Sequence, residues 1–193
     1  MREVLLLVVI ACAFLNCKAQ ETNVETAVLI SLNNEILKRT ALKRVKEHGI
    51  VFKECNDYNW HISFFNKNPF VEDGVLSKVK DSLTHVFFSK ENRENYNKQL
   101  KRNDFSFDKL DFKSEKIAIY SDKIEEKHKT YKFVKFNSSK PVFSIDGKKA
   151  IVFSSSSHEP KIYLFEKKLN LDSGLLEWKI YKTFNSLFSN LNY

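Results

Sequence analysis

The rhythm of apolar and polar positions changes several times along this chain, and each change predicts an element. Residues 4–15 form an unbroken apolar run of 12 residues, preceded by Met1-Arg2-Glu3 and followed by Asn16-Cys17-Lys18-Ala19-Gln20. Over 22–48, Val24, Val28, Leu29, Leu32, Ile36, Leu37, Ala41, Leu42 and Val45 recur at helical spacing. Thr22 with Glu25 makes a capping box, and Gly49 stands where a C-cap is expected. The period then shortens. Segments 50–54 and 58–65 read as two strands about an Asn56-Asp57 turn, with Tyr58, Trp60, Ile62 and Phe64 on one face of the second. Residues 66–74 read as a loop, and 75–83 as a short helix on Leu76, Val79 and Leu83. After the apolar piece Val86-Phe87-Phe88, Ser89 opens another helix to Leu100, whose few apolar positions (Tyr96, Leu100) predict a surface location.

The carboxyl half is strand-like. An aromatic-polar connector at 103–115 leads to a strand at 116–120, a charged segment at 121–130, and then strands at 131–136, 141–144, 149–155, 161–167 and 175–182. Ile145-Asp146-Gly147-Lys148 joins two of these, and Asp-Gly is a strong hairpin signal. Gly174 helps close the loop before the last strand, where Leu176, Trp178 and Ile180 are expected to face inward. Short loops between successive strands predict an antiparallel meander. The expected fold is therefore α+β: an N-terminal helix plus an antiparallel β-sheet with a C-terminal meander and one or two further short helices. No internal repeat or linker divides 17–193, so that span reads as a single domain behind a leader at 1–16.

The leader has the layout of an export signal, with an apolar core too short for a bilayer span, which takes about 20 residues. Two endings compete. In one, Phe14-Leu15-Asn16 precedes cleavage at Cys17, which receives lipid and anchors the protein to a membrane; in the other, cleavage after Ala19 releases a chain starting at Gln20. Cys12 is a third possible lipid site, and a buried terminal element is the plain structural alternative. The localisation that follows is exported, membrane-anchored in the periplasm or at the cell surface, or else soluble after release.

Composition narrows the classes further. Aromatics at 13 %, including 17 Phe, supply ample core and argue against disorder. Four glycines in the chain make a phosphate-cradling loop improbable, and neither glycine-rich nucleotide motif occurs, so no cofactor is expected. The net charge of +8 comes from lysines and arginines scattered among acids, which fits a solvated basic surface. The cluster Lys38, Arg39, Lys43, Arg44 and Lys46 fits the C-terminal end of a helix dipole, with a membrane-surface patch as the functional alternative. No nucleic-acid partner is expected for an exported chain. Of the three cysteines, Cys12 is removed and Cys17 consumed in the lipidated reading, leaving Cys55 as a small buried filler and no disulfide framework.

The run Ser139-Lys140-Pro141-Val142-Phe143-Ser144-Ile145-Asp146-Gly147-Lys148-Lys149-Ala150, the apolar strand after it, and the ending Trp178-Lys179 resemble a family of small exported proteins and lipoproteins of Gram-negative bacteria. Val86-Phe87-Phe88-Ser89-Lys90-Glu91, with Gln99 in the following helix, is similar as well. The likeness spans about the last 110 residues and rests on turns and strand starts. Where many of these relatives carry Cys and Gly, this chain has Ser154-Ser155-Ser156-Ser157-His158-Glu159-Pro160. The resemblance implies export and an envelope location. It implies no activity, cofactor or site residue.

Candidate chemistry is sparse. The histidines His48, His61, His85, His128 and His158 form no close ligand pair, and no C-x-x-C occurs, so no metal site is expected. Ser154 to Ser157 beside His158 and Glu159 gathers the residue types of a triad, but neighbours in sequence rarely form one and no G-x-S-x-G elbow occurs; a polar loop is the simpler reading. Glu72-Asp73 could serve a glycosidase only with a cleft between partner carboxylates, and otherwise reads as a solvated loop. Trp60 and Trp178 could stack on sugars but sit in apolar patterns that predict core packing. The binding candidates are therefore His61, Ser157, His158 and Glu159, with Cys17 as the lipidation site. The expected function is a non-enzymatic envelope module that binds a protein or ligand or fills a structural role. The alternative is a small envelope hydrolase using His61 or His158 with a Ser or acid partner.

Overall fold

The computed structural model describes residues 24–39, 50–54, 58–71, 76–102, 107, 117–119, 134–156 and 159–185. Among them the elements in chain order are α1 (Val24–Arg39), β1 (Ile50–Glu54), α2 (Asn59–Asn66), α3 (Ser82–Phe87), α4 (Lys90–Leu100), β2 (Ile117–Ile119), β3 (Val134–Ser138), β4 (Val142–Phe143), β5 (Lys149–Ser156), β6 (Glu159–Leu169) and β7 (Leu176–Asn185). The fold is α+β, with a helix near the N-terminus and a C-terminal antiparallel meander. The strands form one sheet in the order β2-β1-β3-β5-β6-β7, with β4 also paired to β5.

The two central strands explain the layering. Along β5, Ala150 and Val152 join the core on one face while Ile151 and Phe153 join the core on the other. Along β6, Tyr163 and Phe165 divide from Ile162 and Leu164 in the same way. Successive strand side chains point to opposite faces, so two continuous apolar runs demand cover on both sides. On one face lies α1, through Val28, Leu29, Leu32 and Ile36, together with Phe107, Phe136 and Trp178. On the other lie α2, α3 and α4, through Phe64, Phe65, Phe87, Tyr96 and Leu100. The result is three layers, helix on sheet on helices.

Turn chemistry sets the meander. Gly147 has φ +64, the left-handed conformation that the Asp-Gly turn requires. Asp146 Oδ1 accepts from Ser144 Oγ and from Lys148 N, and Oδ2 lies 3.3 Å from Lys149 Nζ. The Ser144 bond, then the Lys148 main-chain bond, hold the Asp146 carboxyl down at about 2. β1 adds what short loops could not announce: it pairs parallel to β2 (Ile50↔Ile117) and parallel to β3 (Ile50↔Val134).

Four expectations are corrected. Segment 58–65 is not a strand; Asn59–Asn66 is helical. Apart from Asn59 and Ser63 that window is ring-bearing or apolar, so both periods fit it. His61, Phe64 and Phe65 are the buried members, at i, i+3 and i+4. The helix expected at 75–83 starts later, because Asp81 caps α3 through Thr84 N at 2.7 Å. Leu176 is exposed rather than inward, while Trp178 is buried as expected.

The fourth concerns α4, which begins after Ser89 and keeps an exposed side as expected, but whose polar residues are not all turned to water. Its polar stripe Asn92, Asn95 and Gln99 faces the protein. Gln99 Oε1 accepts from Phe143 N at 2.8 Å, and Gln99 Nε2 and Asn95 Nδ2 donate to Phe143 O at 2.6 and 2.9 Å. Asn92 accepts from Ile145 N and donates to Val86 O. These amides do for β4 what a neighbouring strand would do. Arg93, on the same helix, donates to Phe65 O and Lys67 O at the end of α2 and to Phe88 O at the end of α3. The predicted cap at Thr22, the basic residues 43–46, Gly49 and the predicted turn at 56–57 lie outside the described residues.

Gln99→Ala takes the acceptor from Phe143 N while Asn95 still donates to Phe143 O, and a partly buried N–H left unpaired costs about 1–3 kcal/mol. Urea unfolding should show that loss for Gln99→Ala, whereas Glu94→Ala, on the exposed side of α4, should stay within about 0.5 kcal/mol of the parent.

Candidate functional site

Of the binding candidates His61, Ser157, His158 and Glu159, His61 is the one whose side chain is described. α2 carries it under the sheet, where it is 7 % exposed. Its ring lies edge-on to Phe153 at 4.6 Å between centroids and 5.5 Å from the ring of Tyr58. Close by, Lys140 is 5 % exposed, which is unusual for a lysine. Its Nζ donates to Arg102 O, just past the C-terminus of α4, and lies 5.5 Å from the centroid of the Tyr58 ring. A cation is favoured at that helix end, and the aromatic face adds a second attraction. The Lys140 main-chain N–H donates to Tyr58 OH at 3.2 Å.

The serines around this lysine serve the main chain. Ser139 Oγ accepts from Phe153 N at 3.0 Å and donates to Lys140 O at 2.9 Å. Ser138 Oγ donates to Ser139 O, and Ser154 Oγ donates to Asn137 O, both at 3.1 Å. Together they hold the crossing from β3 to β4 against β5, where strand pairing is interrupted. A hydroxyl proton committed to a backbone carbonyl is not handed to a base, so this arrangement is a scaffold for the main chain.

The densest charged cluster is elsewhere. Asp81 Oδ1 accepts from Thr84 N and Tyr181 OH, each at 2.7 Å, and Oδ2 accepts from Thr84 Oγ1 at 2.7 Å and Lys182 Nζ at 2.6 Å. Burial works against the charged carboxylate, but the bonds from Lys182, Tyr181 and Thr84 overcome it and hold Asp81 well below its ordinary 3.8. The bond to Asp81 in turn raises Tyr181. Adjacent strand residues normally point to opposite faces. Here both reach one carboxylate because the β6–β7 register shifts between Leu164↔Lys182 and Phe165↔Ile180, leaving Tyr181 as the extra residue of a bulge. The cluster ties the start of α3 to the last strand, more than 100 positions away in sequence. Phe87 of α3 stacks on the Tyr181 ring at 5.8 Å beside it.

Other candidates fall differently. Ser157 and His158 lie outside the described residues, as do Cys17, Cys55, His48, His128 and the pair Glu72-Asp73. Glu159 is placed by its main chain alone, opposite Ser156 at the start of the β5–β6 pairing. Trp178 packs in the core with Phe143 at 5.7 Å and has Lys167 Nζ over its ring at 5.4 Å. Among the described residues no three His, Cys, Asp or Glu side chains gather as a metal site, and no helix is long and apolar enough to cross a membrane. Sequence reasoning passed over Asp81, Lys140 and the amides of α4. Only Asp81 carried a local signal, the Asp-x-x-Thr spacing of a helix cap. No protein-family model, no curated protein and no solved structure matches this chain.

A lowered carboxyl pKa contributes stability that is present above the unfolded-chain value, about 3.9, and lost as pH falls through the folded one. Asp81→Asn should therefore cost roughly 1–3 kcal/mol at neutral pH. The gap between parent and Asp81→Asn unfolding midpoints should hold steady over about pH 5–8 and narrow progressively below about pH 4. A gap independent of pH would mean that the charge of Asp81 contributes nothing.

Proposed function

We propose that this chain is an exported cell-envelope lipoprotein, tethered through Cys17, whose α+β domain acts as a non-enzymatic binding or structural module. The export half of this reading rests on the apolar run 4–15 ahead of Cys17 and on the resemblance to small exported lipoproteins. The observation that carries the other half is how the described polar side chains are used. Asp81 takes four hydrogen bonds that join α3 to β7, Lys140 holds the end of α4, and Ser138, Ser139 and Ser154 bond main-chain groups. His61 sits edge-on to Phe153, a packing that weighs against a hydrolase built on it. Such a molecule is a rigid carrier of surface, and its work would be recognition by that surface while a lipid holds it at the membrane. The partners that follow are the membrane, through the anchor, and an envelope protein or ligand, with no nucleic acid and no cofactor.

Intact mass of the protein from the membrane fraction, beside Cys17→Ala, tests the tether. The expected result is a chain that starts at Cys17 and is heavier by acyl groups, both features absent from Cys17→Ala. An unmodified soluble chain starting at Gln20 overturns the lipoprotein reading. Turnover of a substrate by the purified protein, abolished in His61→Ala, overturns the non-enzymatic one.

A further inference from the structure

β6 and β7 stay paired beyond the point where β5 ends. The last β5–β6 pair is Lys149↔Glu166, whereas β6 and β7 continue through Lys167↔Trp178, Lys168↔Glu177 and Leu169↔Leu176. A two-stranded ribbon therefore runs past the sheet by about 10 Å, at about 3.4 Å per residue. Its turn is tightly built. Asn170 N donates to Leu175 O and Gly174 N to Asn170 O, both at 2.8 Å, while Asn170 Oδ1 accepts from Asp172 N and Asn170 Nδ2 donates to Glu177 Oε1. Gly174 supplies the positive φ, +67.

This ordered tip is apolar and exposed. Leu169, Leu171, Leu175 and Leu176 are 55 %, 89 %, 65 % and 62 % exposed. Ile145, also exposed, lies on the β4–β5 turn, where Lys148 O accepts from Lys167 N at the base of the ribbon. The other exposed large apolar residues among those described lie apart in the chain, Val24 on α1, Val71 in the segment after α2 and Val86 on α3. Isolated exposed leucines need no explanation, but a cluster on a rigid projecting turn marks a contact surface. Below the leucines stand Lys168 and Lys179, half-exposed side chains whose ammonium groups lie 3.2 Å from Glu166 and 4.0 Å from Glu177, surface pairs weak enough for anionic headgroups to compete with; Lys167 turns its ammonium over the Trp178 ring instead. Asp172 at the apex confines any apolar contact to a shallow depth.

The base of the ribbon is also close to the proposed anchor. Ser31 Oγ of α1 donates to Trp178 O, within the ribbon. From Ser31 to Val24 the helix measures about 10 Å, and the chain from Val24 to Cys17 can extend by at most about 24 Å. A lipid on Cys17 therefore keeps the base of the hairpin within about 35 Å of the bilayer surface, and its tip within about 45 Å.

We infer that the β6–β7 hairpin is a bilayer-contact element, its leucines entering the interface of the anchoring membrane with Lys168 and Lys179 at the level of anionic headgroups. The inference rests on the lipoprotein reading. A lipid anchor alone leaves a domain free to tumble on its tether. A leucine tip with a lysine collar fixes one end of the sheet toward the membrane and presents the opposite end to partners.

The test uses the full-length protein extracted from membranes, its acyl mass verified first, in vesicles of phosphatidylethanolamine and phosphatidylglycerol with or without brominated acyl chains. Leu171→Trp and the control Val86→Trp, on α3, are each compared with the parent, which supplies the background of Trp60 and Trp178. The expected result is added emission from Leu171→Trp that is blue-shifted and largely lost in brominated lipid, with none of this for Val86→Trp. Equal emission from the two variants overturns the inference. So does a blue shift without quenching, which would mean that a second copy or another protein covers the tip. If acyl mass is absent, the anchor reading fails and the inference fails with it; acyl mass without quenching sinks the hairpin contact alone.

Discussion

The structure depends on two strands that are apolar on both faces. Ala150-Ile151-Val152-Phe153 of β5 and Ile162-Tyr163-Leu164-Phe165 of β6 alternate between two cores, and neither core can be left to water. At about 25 cal/mol per Å² of apolar area, an uncovered face would forfeit the main favourable term in folding. Among the described residues, one helix covers one side and three short helices cover the other. The short helices cannot each bring a broad apolar stripe, so they form a cluster rich in phenylalanine. Phe64, Phe65, Phe88 and Phe153 meet with ring centroids between 5.4 and 6.4 Å, largely edge to face.

Polar groups then secure what apolar packing leaves loose. α2, α3 and α4 are of 8, 6 and 11 residues, lengths at which an isolated helix is unstable in water. Arg93 joins the ends of α2 and α3, Asp81 ties the start of α3 to β7, and the amides of α4 complete β4. Lys140 holds the other end of α4. Burial pushes a group toward its neutral form, and with the nearby charge of Asp146 it raises the Tyr96 phenol, which donates to Phe87 O, well above its ordinary value. Asp81 goes the opposite way because four donors converge on it. Asp81, Arg93, Lys140 and the amides of α4 thus act as joints between elements.

Much of the fold was legible in the chain, for local reasons. Asp146-Gly147 needed a residue tolerant of positive φ, and the strand runs on either side needed pairing, so β4 through β7 could be anticipated. Ser89 announced α4 by its capping chemistry. The candidate site was less legible. His61 was placed on a strand because Tyr58, Trp60, Ile62 and Phe64 alternate, yet His61, Phe64 and Phe65 fit a helical face equally well. The contact of α4 with β4 was not legible because its inward stripe is Asn and Gln, and no pattern rule distinguishes amides facing water from amides facing a strand edge.

By itself the sequence determined the strands of the meander, their tight turn at Asp146-Gly147 and the start of α4, since each depends on residues within a few positions of one another. Tertiary structure decided the rest: the helical state of 59–66, the parallel pairing of β1 with β2 and β3, the convergence of Tyr181 and Lys182 on Asp81, and the exposure of Leu176. Each of these depends on partners tens of residues away, or on where β5 stops and leaves β6 and β7 to run on alone. Local preference there is nearly balanced, and the burial or exposure supplied by the assembled sheet outweighs it.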